Sequence, residues 1–228
     1  MAQTGILLGT SITIALIHTL IGVDHYVPFV ALSRANRWSL KKTIYVVLLC
    51  GFGHVLGSVI LGFAGVALSA GVTSLVYIED KRGTVATYAL IAFGLIYAIY
   101  GIRSAAKNKT HTHAGKDGQI TVHGHDEPEL PSKRNGSVFW GLFIFFILGP
   151  CEPLIPLLMY PAANMDIFTL VLVTLSFSVC TISIMLLMTL IGLKGFQLIR
   201  FSRLERYAHA LAGSAILICG ISVLALPI

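Results

Sequence analysis

The chain has 228 residues, of which 56% are hydrophobic and only 11% are charged, whereas about 25% of residues are charged in an ordinary soluble domain. Together with a mean hydropathy of +0.84, this composition excludes a soluble globular domain and indicates a membrane protein. The formal net charge of +6 does not indicate nucleic acid as a partner, because the basic residues are grouped between apolar stretches.

Six apolar stretches are each long enough to cross a bilayer, which takes about 20 residues in a helix. They lie at about 5–32, 43–70, 84–103, 137–161, 165–192 and 207–227. The first is longer than a signal peptide and has no basic segment before it, so we expect an uncleaved helix. The sequence therefore predicts an all-α polytopic membrane protein with six transmembrane helices.

The basic residues predict the orientation of these helices. All lysines and arginines except Lys81 and Arg82 follow the first, third and fifth helices. Because cytoplasmic loops carry an excess of Lys and Arg, we expect loops 1, 3 and 5 in the cytoplasm and both termini outside.

The two halves of the chain share a pattern of residues. Tyr, Gly and Gly recur at the same spacing in the third and sixth helices: Tyr88, Gly94 and Gly101 match Tyr207, Gly213 and Gly220. Phe and Ser recur in the second and fifth helices: Phe52 and Ser58 match Phe177 and Ser183. The alternative is that small residues simply recur in membrane helices. An odd number of helices per unit predicts a 3+3 inverted repeat, with residues 1–103 and 137–228 as the two units and 104–136 as a cytoplasmic loop.

The first and fourth helices are expected to be interrupted. "GVDHYVP" in one and "GPCEPLIP" in the other each combine glycine, an acidic residue and proline. In inverted repeats, interrupted helices form the substrate site near the bilayer midplane.

"HTLIGVDHYVP" places His18, Asp24 and His25 inside the first apolar stretch. An ionisable group at this depth costs at least about 2.5–3.5 kcal/mol, so each demands a partner. Imidazole and carboxylate groups are ligands for divalent transition metals, and Asp24 is either a ligand or an acceptor that orients a ligating histidine. On an unbroken helix His18 and His25 would be about 10 Å apart along the axis, so we expect a break at Gly22. The alternative is a polar cluster that only holds helices together.

Two further residues are candidates for the same site. His54 lies mid-span in "GFGHVLGS", where glycines allow close approach, and is either a ligand or a core histidine. Glu152 is the lone carboxylate of the fourth helix, and we expect it to act as a ligand or proton-coupling group, the alternative being a protonated carboxyl. Its neighbour Cys151 offers a soft ligand, although buried cysteines usually act as small apolar fillers.

The cytoplasmic loop carries four histidines in two H-x-H pairs: His111, His113, His123 and His125. Such tracts can capture metal transiently, and the alternative is a solvated linker. The four cysteines of the chain form no CxxC pair and indicate no disulfide framework.

"HTLIGVDH" resembles the H-x5-D-H signature in the first helix of the HupE/UreJ-type nickel permeases, and the wider nickel/cobalt transporter group carries a similar H-x4-D-H. The number of helices, the glycine-flanked His54 and the histidine-bearing loop are similar to the nickel/cobalt efflux and urease-accessory-like membrane proteins. The chain lacks the Phe-His-Gly motif of the HupE/UreJ proteins, so no subfamily is selected. The resemblance implies a bacterial or archaeal inner membrane protein that moves nickel or cobalt.

We therefore expect a secondary transporter of a divalent transition metal and not an enzyme. Nickel or cobalt is favoured, and zinc, iron and manganese stay open. The sequence has no P-loop motif, so we expect transport without ATP hydrolysis. The expected partners are the metal ion and the lipid bilayer, and a homo-oligomer stays open. The alternatives are a CcdA/DsbD-like thiol electron carrier, for which the first helix lacks a cysteine, an intramembrane metalloenzyme, and an anion exporter, for which no basic residue lies at the midplane.

Overall fold

The computed structural model describes residues 2–67, 71–107, 113–114, 120–121, 132–149, 151, 153–164, 166–198 and 205–225. These residues form eight α-helices: α1 (Ala2–Ile21), α2 (Val27–Ala35), α3 (Leu40–Ala67), α4 (Val72–Lys107), α5 (Ser132–Leu148), α6 (Leu154–Ala163), α7 (Ile167–Leu198) and α8 (Ala208–Ala225). Within the long loop, β1 (His113–Ala114) pairs with β2 (Ile120–Thr121) in antiparallel fashion. Glu152, His111, His123 and His125 lie outside the described residues, as does the side chain of His113.

Five of the described helices are long and apolar enough to cross a membrane: Gln3–Ile21, Leu40–Gly65, Thr73–Ala106, Ile167–Gly195 and Ala208–Ala225. A shorter apolar segment, Val138–Leu148, lies in α5. Apart from the two-residue strands and short turns, the described residues are helical, which is consistent with a multi-pass membrane protein.

The first predicted interruption is present in the structure. α1 ends at Ile21, and Gly22 leaves the helical conformation with a ψ of 89°. One 3-10 turn over Val23–His25 follows, and α2 then starts with Pro28 in its first turn, a position where proline lacks no needed donor. The break at Gly22 is therefore confirmed.

The second predicted interruption is also present. α5 ends at Leu148 and α6 begins at Leu154, directly after Pro153. Around the break, the Gly149 amide donates to the Phe145 carbonyl and the Leu154 amide donates to the Cys151 carbonyl. The stretch expected as one span at 137–161 is thus two short helices.

The third helix begins earlier than the sequence predicts. Residues 71–83 were expected as a loop, but α4 starts at Val72 and runs without interruption to Lys107. Glu79 and Arg82 lower the hydropathy of this segment, yet they pair with each other within the helix. The charged pair therefore lies inside the helix and does not mark the point at which the helix begins.

Three pairs of the longer helices dominate the packing. α1 lies along α7 and α5 lies along α3, while α4 and α8 form the most extensive interface. Hydrogen bonds join Thr4 to Thr169 and Ser11 to Ser176, so α1 and α7 run parallel. The two breaks meet at the centre, where Phe29 of α2 stacks on Phe146 of α5 with ring centroids 4.6 Å apart.

The interface between α4 and α8 depends on glycine. A Cβ atom at any of four glycines would meet the opposite helix: Gly94 faces Leu217, Gly101 faces Ala210, Gly213 faces Ala98 and Gly220 faces Ile91. Small residues let membrane helices approach closely enough for backbone contact. The contacts pair early residues of α4 with late residues of α8, so these helices are antiparallel.

Candidate metal centre

Three side chains from three elements converge at the centre of the molecule. One potential ligand atom each from His18, His54 and Cys151 lies within 4.8 Å of the other two. His18 is in the last turn of α1, His54 is in the middle of α3, and Cys151 lies in the break between α5 and α6. Nitrogen and sulfur atoms at this separation can bind one metal ion after small side-chain adjustments, given metal–ligand distances of about 2.0–2.3 Å.

His25, in the turn after α1, lies beside this group. Its ring centroid lies 5.0 Å from that of His18 and 5.1 Å from that of His54. The break at Gly22 makes this possible, because it shortens the distance that an unbroken helix would impose between His18 and His25. A Cβ atom at Gly22 would lie 2.5 Å from Nδ1 of His25, so only glycine fits beside this ring.

Hydrogen bonds orient two of the imidazoles. Nδ1 of His25 lies 3.0 Å from the Gly22 carbonyl oxygen and 3.2 Å from Oδ1 of Asp24. Nδ1 of His54 lies 3.3 Å from the Phe146 carbonyl oxygen. A carbonyl and a carboxylate only accept, so Nδ1 is the donor in both rings, and Nε2 of the neutral ring carries a free lone pair. Metal-binding histidines are oriented by the same kind of contact.

The three Nε2 atoms of His18, His25 and His54 are buried without a hydrogen-bond partner among the described residues. Leaving a buried polar atom unsatisfied costs about 1–3 kcal/mol, so such atoms call for an explanation. Two of these histidines, His18 and His54, belong to the close ligand group with Cys151, and the ring of His25 lies beside them.

Asp24 supports the histidines in this geometry. Its carboxylate is within hydrogen-bond distance of Nδ1 of His25, and neither Asp24 nor His25 belongs to the close ligand group of His18, His54 and Cys151. Of the two roles considered for Asp24, orientation of His25 is the one that the contacts favour.

Cys151 is fully buried in the group, although the sequence favoured an apolar filler there. Its amide donates a 3.0 Å hydrogen bond to Oγ of Ser58 on α3, which fixes the break against that helix. Nearby, a Cβ atom at Gly149 would lie 3.2 Å from Nδ1 of His54. Gly149 therefore allows this break to approach His54, as Gly22 allows the first break to approach His25.

A pair of charged residues behind the site was missed in the sequence. Nη1 of Arg82 lies 2.6 Å from Oε2 of the buried Glu79, and Nη2 donates a 3.0 Å hydrogen bond to the Ile147 carbonyl near the end of α5. A Cβ atom at Gly57 would lie 2.6 Å from Nη2, so the guanidinium group of Arg82 packs directly against the backbone of α3. The i,i+3 spacing of Glu79 and Arg82 was the available signal for a helical ion pair.

The structure thus brings together His18, Asp24, His25 and His54 of the predicted set and adds Cys151. The predicted roles of Glu152 and of the four loop histidines lie outside the described residues. No protein-family model, curated protein or solved structure matches the chain.

Proposed function

We propose that the protein is a secondary transporter of a divalent transition-metal ion, with Ni²⁺ and Co²⁺ as the favoured substrates. The observation that carries the proposal is the buried group of His18, His54 and Cys151, whose ligand atoms lie within 4.8 Å of one another, with the ring of His25 beside it and the Nε2 atoms of all three histidines unpartnered among the described residues. The resemblance of "HTLIGVDH" to the nickel/cobalt transporter group supports the same substrates.

The chemistry of the donor set narrows the choice of metal. Imidazole nitrogen and thiolate sulfur suit Co²⁺, Ni²⁺ and Zn²⁺, whereas Mn²⁺ prefers carboxylate, carbonyl and water oxygens. Iron and zinc remain weaker candidates than nickel and cobalt, and manganese is the weakest.

Transport, as opposed to static binding, is supported by the position of the ligands. His18, His25 and Cys151 lie at or beside the two helix breaks, and irregular backbone is tolerated at membrane depth only where it is buried in protein or lines a cavity. Interrupted helices from two repeats are the usual location of a transporter's substrate site. Breaks of this kind can rearrange without loss of a whole transmembrane helix.

The glycine contacts between α4 and α8 support an inverted repeat. One shift of 119 positions relates each contact to another: Gly94 with Leu217 becomes Gly213 with Ala98, and Gly101 with Ala210 becomes Gly220 with Ile91. Exchange of the two units thus converts the set of four contacts into itself, which is expected of two-fold symmetry. The packing of α1 on α7 and of α5 on α3 follows the same exchange. We take the six predicted spans as two units of three, with loops 1, 3 and 5 in the cytoplasm of an inner-membrane protein.

A transport assay tests the proposal. Purified protein is reconstituted into vesicles that contain a metal-sensitive fluorescent chelator, and Ni²⁺, Co²⁺, Zn²⁺ or Mn²⁺ is added outside. We expect the wild-type protein to move Ni²⁺ and Co²⁺ and the His54→Ala variant to move neither. Thr10→Ala is the control, because Thr10 is exposed on α1 and its hydroxyl donates to the Ile6 carbonyl within the same helix.

Two results would overturn the proposal. One is a wild-type protein that binds these metals without moving them, which would favour the intramembrane metalloenzyme. The other is a His54→Ala variant that transports as fast as the wild type while remaining folded.

A further inference from the structure

A cavity of about 520 Å³ lies beside the metal centre. Its inner end is formed by His18, Asp24 and His25 in the first helix break. Its walls include Thr84 and Thr87 of α4 and Ser222 of α8, and Asp80 of α4, which is exposed, also lines it. These residues belong to the early part of α4 and the late part of the antiparallel α8. The cavity thus extends from the histidines toward the membrane face at which α4 begins and α8 ends.

The charged residues that line the cavity are acidic. Asp24 and Asp80 contribute carboxylates, and neither lysine nor arginine is among the lining residues that the structure describes. The two basic residues that follow Asp80 in the sequence have other partners. Arg82 binds Glu79 and the Ile147 carbonyl. Nζ of Lys81 lies 5.2 Å from the ring centroid of Tyr77. A low-dielectric cleft lined by one sign of charge concentrates ions of the opposite sign.

The volume of the cavity fits a hydrated ion. A metal ion with six waters occupies about 200 Å³, at about 30 Å³ for each water. The cavity is larger than this, and the hydroxyl groups of Thr84, Thr87 and Ser222 line its walls. The buried Nε2 of His25, which has no hydrogen-bond partner among the described residues, lies at the end where the ion would shed its water.

We infer that this cavity is an aqueous vestibule that admits hydrated cations to the three-histidine centre, and that Asp80 concentrates them at its entrance. The inference rests on the proposed function only for the identity of the cation. With the orientation expected from the basic loops, the vestibule opens to the outside of the cell.

The opposite end of the α4–α8 interface is closed by polar contacts. Tyr97 OH lies 2.9 Å from Nδ1 of His209 and accepts a 3.0 Å hydrogen bond from Nδ2 of Asn36. Arg206 donates to the Ala105 carbonyl at the same end. These contacts tie α2, α4 and α8 together on the face away from the vestibule, so the described state is open toward one side.

Thiol labelling tests the vestibule without any metal. In a background with Cys50, Cys151, Cys180 and Cys219 replaced by alanine, a single cysteine is introduced by Thr87→Cys, at a buried position that borders the cavity. None of the four native cysteines is among the described lining residues. The matched control is Thr189→Cys, which is buried in α7 and does not border the cavity. Monodisperse elution in detergent establishes that each variant is folded.

The reagents are membrane-impermeant methanethiosulfonates, one bearing a trimethylammonium group and one a sulfonate, added to intact cells and to inside-out vesicles. We expect Thr87→Cys to react in intact cells about tenfold faster with the cationic reagent than with the anionic one, and Thr189→Cys to react with neither. Adding Asp80→Asn should lower this ratio severalfold, as should 0.5 M salt, because screening weakens the field at the entrance.

Three outcomes would overturn the inference: a Thr87→Cys thiol that reacts with neither reagent, equal rates for the two reagents, or labelling only from the inside. An unchanged ratio in the Asp80→Asn variant would overturn the role of Asp80. Because the probes are not metals, these results are independent of the vesicle transport assay, and the failure of one experiment is distinguishable from the failure of the other.

Discussion

Nδ1 of His25 lies 3.2 Å from Oδ1 of Asp24, and the same nitrogen lies 3.0 Å from the Gly22 carbonyl oxygen. Both acceptors contact Nδ1, whereas Nε2 has no hydrogen-bond partner among the described residues. Asp24 therefore keeps the proton on Nδ1 and leaves Nε2 as the atom of His25 that is available to an ion, in a ring that lies about 5 Å from those of His18 and His54.

Asp24→Ala should weaken the binding of Ni²⁺ or Co²⁺ by about 10–100-fold, the usual effect of removing a group that orients a metal-binding histidine. Asp24→Asn retains an acceptor oxygen and should lose less. Equilibrium dialysis of the purified protein measures both affinities. Equal affinities in the wild type and Asp24→Ala would contradict the orienting role.

Cys151 should bind the metal through sulfur. Co²⁺ added to the wild-type protein is expected to give a sulfur-to-cobalt charge-transfer absorption in the near ultraviolet, because a coordinating thiol is deprotonated. Cys151→Ser should abolish this absorption. The matched control is Cys50→Ser, which changes a buried cysteine of α3 outside the three-residue ligand group and should leave the spectrum unchanged. A spectrum that survives in Cys151→Ser would assign the cysteine to packing alone.

Gly213→Ala should destabilise the protein by about 1–3 kcal/mol or more, as overpacking does. The added Cβ atom would meet the backbone of Ala98, which cannot move aside as a flexible side chain can. Thermal unfolding in detergent measures the change. Gly9→Ala is the matched control, because a Cβ atom at Gly9 would meet nothing within 4 Å; this variant should be as stable as the wild type or slightly more stable.

Arg82→Ala should cost about 3 kcal/mol, near the lower end for breaking a buried ion pair, because Glu79 is buried while Arg82 is partly exposed. The double variant Glu79→Gln with Arg82→Ala should recover part of this loss, since no buried charge is left unpaired. Lys81→Ala provides the control on the neighbouring position. If the double variant were no more stable than Arg82→Ala, the uncompensated charge of Glu79 would not be the cause.

The sequence was sufficient to predict the break at Gly22, because three ionisable residues in an apolar stretch need a shared partner and an unbroken helix cannot supply it. The approach of His54 to His18 was an expectation based on depth in the membrane, and the structure brings the two side chains together. The position of Cys151 was not predictable, because a cysteine in an apolar helix has the same pattern whether it binds an ion or fills space.

The predicted start of the third transmembrane helix was wrong for a different reason. A hydropathy average treats Glu79 and Arg82 as two separate charged residues that disfavour a membrane helix. In the folded chain they form an ion pair, and Arg82 also donates a hydrogen bond to the Ile147 carbonyl. That carbonyl belongs to a helix 65 positions further along the chain, so no local pattern could reveal the compensation. The role of Glu152 stays a prediction.

The hydrogen bonds to Nδ1 of His25 and His54 also bear on the charge balance of the centre. If His25 and His54 are neutral when an ion arrives, Nε2 is already free and they release no proton on binding, so the thiol of Cys151 would be the group that gives one up. A divalent cation, one thiolate and the nearby carboxylate of Asp24 then sum to zero. The loaded centre would carry no net charge, which is the form of cargo that a low-dielectric membrane interior tolerates best.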